Sequence, residues 1–333
     1  MRKVAAVVVA YNREVLLGKC LAALQKQTVP LQHIVVVDNA STDNSLQVAK
    51  ASGAEVVSLQ ENTGGAGGFT AGIASAMGHD VDFLWLMDDD TIPFSNALEE
   101  LLQTADAYPG APAFLCSKAE WFDGQVHPMN THRRRPFVPS EQIDHAKKVG
   151  AIPVRSASFV SVLIDTRAVR EEGLPIADYF IWNDDLEYLS RIGKNRVGLY
   201  VPSSRVLHAT KKLAGVNEDP RDRFFYEVRN KIWFLRLSTG LHLMDRVLYG
   251  ASCIRRWAKM FSASADRPAM VKVGWSGLKQ ECAPPVPTAR YLRPLQKWAP
   301  RSRRWSIDEP VEGFIRGLVW GPPRADDFNA PLV

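Results

Sequence analysis

Two rhythms of apolar and polar positions alternate along the first hundred residues. Short β-branched runs, Val4 to Val9, Ile34 to Val37 and Val56-Val57, read as strands. Between the first two, Leu17, Leu21 and Leu24 recur at helical spacing and predict a helix with one buried face, ending near Pro30. After the second, Ser41 or Thr42 is placed to cap the next helix. After the third, a glycine-rich stretch from Asn62 to Phe69 leads into a small-residue helix through Ala76. A fourth strand, from Phe83 to Met87, runs straight into Asp88-Asp89-Asp90 and is stopped by Pro93. Unbroken apolar runs of this length suit strands covered on both faces. Strands alternating with helices predict an α/β parallel sheet over residues 1 to about 105.

Further along, the pattern loosens. Residues 106–155 carry scattered prolines and histidines and the run Arg133-Arg134-Arg135, and read as a loop-rich insertion that could cover a site. Ser158 to Ile164 resumes a strand, the acidic stretch from Asp178 enters a helix continuing to about Ile192, and Val197–Val201 and Val206–His208 read as two more strands. After Arg221 the character is helical. There Leu243, Val247, Ile254, Trp257 and Phe261 form a stripe that is either a packing face or an interfacial, membrane-facing one. The expected division is an α/β domain over 1–220 and a mainly helical region over 221–333.

Composition narrows the class only slightly. With 46% hydrophobic and 23% charged residues, the chain reads as an ordinary globular protein with a sizeable core. Its net charge of +5 is unevenly spread: residues 289–305 hold Arg290, Arg293, Lys297, Arg301, Arg303 and Arg304 without an acidic residue. Such a block attracts phosphates or an anionic membrane surface. Cys20, Cys116, Cys253 and Cys282 are scattered, which argues against a disulfide scaffold or a zinc site and suits a reducing compartment. No apolar run nears the ~18 residues of a membrane span. A cytoplasmic protein is expected, at most peripheral on the inner face of the plasma membrane.

Candidate chemistry sits at the strand ends, where open α/β sheets bind ligands. Asp88 and Asp90 point to one side if the chain is extended, and two such carboxylates beside a substrate phosphate suit a hard divalent cation. A solvated acidic turn is the plainer alternative. The glycine stretch contains no G-x-G-x-x-G and follows the third strand rather than the first, and no P-loop signature is present. Asp38 could bond a base or ribose, the glycines could admit a backbone close by, and a metal could neutralise a diphosphate. A nucleotide-diphosphate donor fits that crevice. Asp184, Asp185 and Glu187 open the helix after residue 183, where acidic residues also favour the helix dipole. Carboxylates lining the same crevice disfavour nucleic acid as a partner.

Taken in order, Val7–Asn12, Val35–Asp43, Met87–Asp90, Asp184–Glu187 and His208 resemble a family 2 glycosyltransferase with the GT-A fold, a Rossmann-like, mostly parallel sheet flanked by helices. The resemblance covers residues 1 to about 235. Within that family, Asn62–Phe69, the Trp182-Asn-Asp-Asp helix start and Phe225–Asn230 are most similar to bacterial galactofuranosyltransferases, with rhamnosyltransferases as near relatives. The last hundred residues resemble it only around Gly313–Gly321. The resemblance implies inverting transfer from UDP-galactofuranose to a hydroxyl of a saccharide acceptor carried on a polyprenyl diphosphate. It implies that Asp88, Asp90 and His208 hold Mn²⁺ or Mg²⁺ and that Asp89 faces the donor sugar or ribose. Tyr11 and Asp38 would bind the uridine, and Asn62, Gly64 and Gly65 would line the donor pocket. Asp185, or else Asp184, would be the general base, with Trp182 and Glu187 touching substrate. A dTDP-rhamnose donor and a non-catalytic nucleotide-sugar-binding module are the competing expectations.

Overall fold

A computed structural model describes residues 2–130, 132–210, 223–264 and 266–280. The basic block at 289–305 and the Gly313–Gly321 stretch lie outside the described residues. The first half alternates as the pattern predicts: β1 (Val4–Ala10), α1 (Glu14–Gln25), β2 (His33–Asp38), α2 (Ser45–Ala51), β3 (Glu55–Ser58), α3 (Gly64–Ala76) and β4 (Phe83–Asp88). These strands pair in parallel in the order β3-β2-β1-β4. Alternate residues of β1 enter different cores. Ala5, Val7 and Val9 pack with Phe69 and Ile73 of α3, whereas Val4, Ala6 and Val8 pack with Leu17, Leu21 and Leu24 of α1. Side chains of a strand point alternately to the two faces, so a sheet covered on both needs apolar residues at every position.

The glycines of α3 have a packing reason. A Cβ at Gly72 would meet Val7 at 2.4 Å, and one at Gly68 would meet Val9 at 2.5 Å. The helix therefore lies directly on β1. The sequence pattern assigns Gly64–Gly68 to a loop; they form instead the first turns of α3.

Past β4 the sheet becomes mixed. β5 (Thr91–Pro93), α4 (Ala97–Ala107), β6 (Phe114–Glu120), β7 (Arg133–Arg134), α5 (Ser140–Lys148), β8 (Ile152–Ser156) and β9 (Val162–Asp165) follow. β9 inserts antiparallel between β4 and β6, and β6 pairs in parallel with β10 (Gly198–His208), which precedes β8 and β7 at the edge. Residues 106–155 thus hold more regular structure than the expected loop-rich insertion, because Phe114, Leu115 and Cys116 are buried in the sheet interior. Pro93 does not stop a strand; β4 ends at Asp88, and Pro93 pairs with Val206 at the margin of the sheet, where a missing N–H is tolerated. The two strands expected at 197–208 are one, with an irregularity between Val201 and Arg205. The strand expected from Ser158 begins at Val162.

Two further helices, α6 (Thr166–Glu172) and α7 (Asp184–Ile192), precede β10, and α8 (Phe224–Leu237), α9 (Leu243–Ala263) and α10 (Arg267–Gln280) follow it. On α9 the buried residues are Tyr249, Cys253 and Met260. Of the stripe read from the sequence, Trp257 alone packs on core clusters, and Leu243, Val247, Ile254 and Phe261 are exposed. No helix among the described residues is long and apolar enough to cross a membrane.

Candidate active site

The parallel register sets the carboxyl ends of β2, β1 and β4 side by side: Ala10 lies beside Asp38, and Val9 beside Asp88. After Asp88 the chain turns through Asp89 and Asp90 into β5. β5 lies antiparallel to β10 with Thr91 opposite His208, and the Ala209 N–H donates to the Asp90 carbonyl at 2.9 Å. Ligand atoms of Asp88, Asp90 and His208 thereby fall within 4.8 Å of one another. The convergence expected from an extended chain is present, but a turn and a cross-strand pairing produce it.

The hydrogen-bond pattern fits a cation. Nδ1 of His208 lies 2.7 Å from Oδ1 of Asn130, whose Nδ2 donates to Ser158 Oγ at 2.7 Å. A carbonyl oxygen only accepts, so Nδ1 carries a hydrogen and Nε2 is the ring nitrogen turned toward the acidic run. That nitrogen lies 3.2 Å from Oδ1 of Asp90, a buried oxygen that accepts no hydrogen bond. A ring nitrogen and a carboxylate oxygen this close in a buried place are what a divalent ion would join, and two carboxylates with one imidazole are donors of the kind that hold one.

The acidic run is electrostatically loaded. Burial pushes Asp88 up to about 6, and the Asp90 charge adds to this. Burial likewise pushes Asp89 up to about 7, although its carboxylate accepts the Tyr11 N–H at 3.0 Å. Burial also acts on Asp90, but His208 and the Arg13 guanidinium outweigh it and hold that carboxyl below its usual range. Arg13, at the entrance to α1, contacts Asp90 and lies 3.6 Å from Asp89. In the sequence it is an unremarked member of the turn after β1, yet it is the cation that meets the acidic run.

Asp38 is 2% exposed, and its carboxylate accepts the Ser41 N–H at 3.3 Å. Neither Ser41 nor Thr42 caps α2, whose first residue is Ser45; Asp43 instead accepts the N–H groups of Ser45 and Glu14 at 2.9 and 3.1 Å. Asn62 is exposed, and its Oδ1 accepts the Gly64 N–H at 2.8 Å at the start of α3. Buried Asn39 secures this corner: its Nδ2 donates to the Gly64 carbonyl and its Oδ1 accepts the Thr63 N–H, both at 2.9 Å. A Cβ at Gly65 would meet no atom within 4 Å, so that glycine borders open space, whereas Gly64 is closed by Phe180. Tyr11, 43% exposed, stands at the mouth of the crevice.

The second acidic cluster divides. Burial, then the Asp185 charge, raises Asp184 well above the usual carboxylate range. Asp185 is half-buried; burial pushes it to about 6, against the pull of its Leu186 N–H contact, Arg133 and Lys231. Its charge in turn raises Asp88, so the two acidic groups lie within electrostatic reach of each other. Glu187 does not join them. Expected to touch substrate, it is 1% exposed and bonded to Arg191 at 2.9 and 3.1 Å and to Ser238 Oγ at 3.0 Å, because position 187 faces the end of α8 rather than the crevice. Trp182 is half-buried, with its backbone left-handed at φ 67°.

The approach to α7 is strained. Phe180 (φ 61°, ψ −65°), Trp182 (φ 67°) and Asn183 (φ 67°) are all left-handed non-glycine residues. The Ile181 N–H donates to the Tyr179 carbonyl at 2.7 Å, closing a three-residue turn around Phe180 of the rare φ-positive kind. Such conformations cost on the order of 1–3 kcal/mol each and persist where surrounding structure holds them.

Residues 5–163 match the model of glycosyl transferase family 2, so this stretch is a domain of that family. Two curated relatives agree. Galactofuranosyltransferase GlfT1 of Mycolicibacterium smegmatis is 39% identical over 111 residues, covering 32% of this chain and 36% of the relative. Its Mycobacterium tuberculosis namesake is 36% identical over 108 residues, covering 31% and 36%. The matched stretch thus spans little more than a third of those relatives' length. Among solved structures, Staphylococcus aureus TarS 1–349 superposes with a TM-score of 0.59 at 16% identity, over 84% of this chain and 80% of that one. The mannosyltransferase PcManGT from Pyrobaculum calidifontis, solved with GDP-Man and Mn²⁺, gives 0.50 at 16% identity, over 95% and 86%. At such identities the likeness is one of fold, and that fold is GT-A.

Proposed function

We propose that this chain is a metal-dependent inverting glycosyltransferase that moves galactofuranose from UDP-galactofuranose to a hydroxyl of a lipid-linked saccharide. The observation that carries the reading is the pairing of the Asp88–Asp90–His208 cluster with a second carboxylate, Asp185, within electrostatic reach of it. A divalent cation held by Asp88, Asp90 and His208 would supply positive charge at the donor diphosphate. Asp38 and Tyr11 bind the uridine, and Asn62 with Gly65 borders the donor pocket. The carboxylate of Asp185 accepts the proton of the acceptor hydroxyl as that oxygen bonds the anomeric carbon. The bond from that carbon to the diphosphate breaks, UDP leaves, and the proton stays on Asp185. A base raised to about 6 is matched to work near neutral pH. Asp184, buried and raised further, is the weaker candidate. Trp182 lies within two residues of Asp184 and offers a ring to the acceptor.

Support for a membrane-borne acceptor comes from the helical region. The exposed stripe of α9 runs beside exposed Arg255 and Lys259, and α10 exposes Val271, Trp275 and Leu278 beside Lys272 and Lys279. An apolar face with basic flanks suits an anionic bilayer surface. The enzymatic test supplies UDP-galactofuranose, Mn²⁺ and a polyprenyl-diphosphate saccharide and reads UDP release with the mass of the acceptor. Transfer from dTDP-rhamnose alone would change the donor, and release from no donor would contradict the reading. Flotation with anionic vesicles at physiological salt tests the surface: protein left at the bottom of the gradient would refute it.

A further inference from the structure

The strained approach to α7 is held from the last residue of the Phe225–Asn230 stretch, to which the resemblance assigns no role. Asn230 of α8 is fully buried, and its Nδ2 lies 2.9, 2.9 and 2.8 Å from the carbonyl oxygens of Tyr179, Ile181 and Trp182. Carbonyls turned toward one point repel each other unless a donor sits among them, and an amide NH₂ supplies two hydrogens there. The amide cannot turn over without loss, because its Oδ1 accepts Arg229 Nε at 3.0 Å. Arg229 adds a donor to the Asp178 carbonyl at 2.6 Å.

Phe180 differs from its neighbours in facing the other way. Its carbonyl accepts the Ala66 N–H of α3 at 3.1 Å, and a Cβ at Gly64 would lie 2.0 Å from the same oxygen. Trp233, one turn beyond Asn230, packs with Tyr179 and Ala66. The loop is therefore fastened to α8 on one side and to the first turn of α3 on the other, and it ends at Asp184.

We propose that Asn230, oriented by Arg229, is a positioning residue: it holds the 179–183 loop in its left-handed shape and so fixes the acidic start of α7 against the donor-side helix α3. Asn230 touches backbone only at the loop and takes no part in the chemistry. The proposal deepens the transferase reading and rests on it for its kinetic arm, but its structural arm stands without it.

The test uses the full chain as wild type, Asn230→Ala and Asn230→Asp. Hydrogen exchange is followed in peptides spanning 64–70, 178–190 and, as a control, β1 and β4. Both variants should raise exchange in the first two by about tenfold or more and leave the control unchanged. In transfer assays both should lower kcat by about 100-fold, the scale of a small misplacement of a reacting group, with the donor KM nearly unchanged. Adding Phe180→Gly to Asn230→Ala should restore part of kcat, since glycine adopts positive φ without steric cost. Unchanged exchange in the loop overturns the proposal whether or not the chain is a transferase. Faster exchange with kcat intact reduces Asn230 to a structural residue and overturns it as well. If the wild type transfers no sugar, the exchange arm still decides the clamp, and it is the transferase reading that fails.

Discussion

The crevice is built by two regions of opposite construction. Asp38 and Asp88 sit at the ends of parallel strands whose register places them, with positive φ confined to Asn12 and Ala40 in the turns that follow β1 and β2. Asp184 and Asp185 arrive by a loop with three left-handed residues in four, fastened by side chains about fifty positions later in the chain. One half of the site is a product of sheet geometry and should tolerate local change. The other half depends on distant polar contacts and should lose function before it loses structure.

That contrast can be broken at several points. Asp185→Asn should lower kcat about 10²–10⁴-fold, as loss of a general base does, while the nucleotide still binds; stopped-time transfer assays read it. Asn130→Leu removes the partner that fixes His208 and should weaken Mn²⁺ binding about 10–100-fold, measured by calorimetry with UDP present. Gly72→Ala presses a methyl group against Val7 and should cost about 1–3 kcal/mol in denaturant unfolding without changing the site.

A further effect is in pH. Asp88 and Asp185 near 6 and Asp89 near 7 lie above the ~3.9 of an unfolded aspartate, so the folded chain binds more protons between those values. Stability of the metal-free protein should therefore be greatest below about pH 4 as far as these groups decide it, and should fall as pH rises to about 7. Thermal unfolding in chelator at about pH 5 and pH 8 checks the sign, and Mn²⁺ should raise Tm more at the higher of the two.

How far the sequence reveals the molecule follows the same divide. The β-branched runs and the leucine spacing of α1 announce the parallel half, because local pattern alone decides a strand covered on both faces. The approach to Asp88 and Asp90 is legible for that reason, and His208 through the resemblance. Arg13 and Asn130 are not, and Asn39 and Asn230 lie in resembling stretches without a legible role, since each acts across tens of residues and no period marks it. Glu187 misleads because neighbours in a first helical turn face different directions. The γ-turn at Phe180 is equally hidden: nothing in Tyr179-Phe180-Ile181 signals positive φ.

The most direct measurement is a calorimetric titration of UDP-galactofuranose, with and without Mn²⁺, into wild type, Asp90→Ala and Asp185→Asn, paired with transfer assays on the same samples. Binding that needs Mn²⁺ in the wild type, is lost in Asp90→Ala and survives in Asp185→Asn while transfer disappears would establish the division between a donor-holding half and a reacting half. Equal binding by wild type and Asp90→Ala, or full transfer by Asp185→Asn, would contradict it.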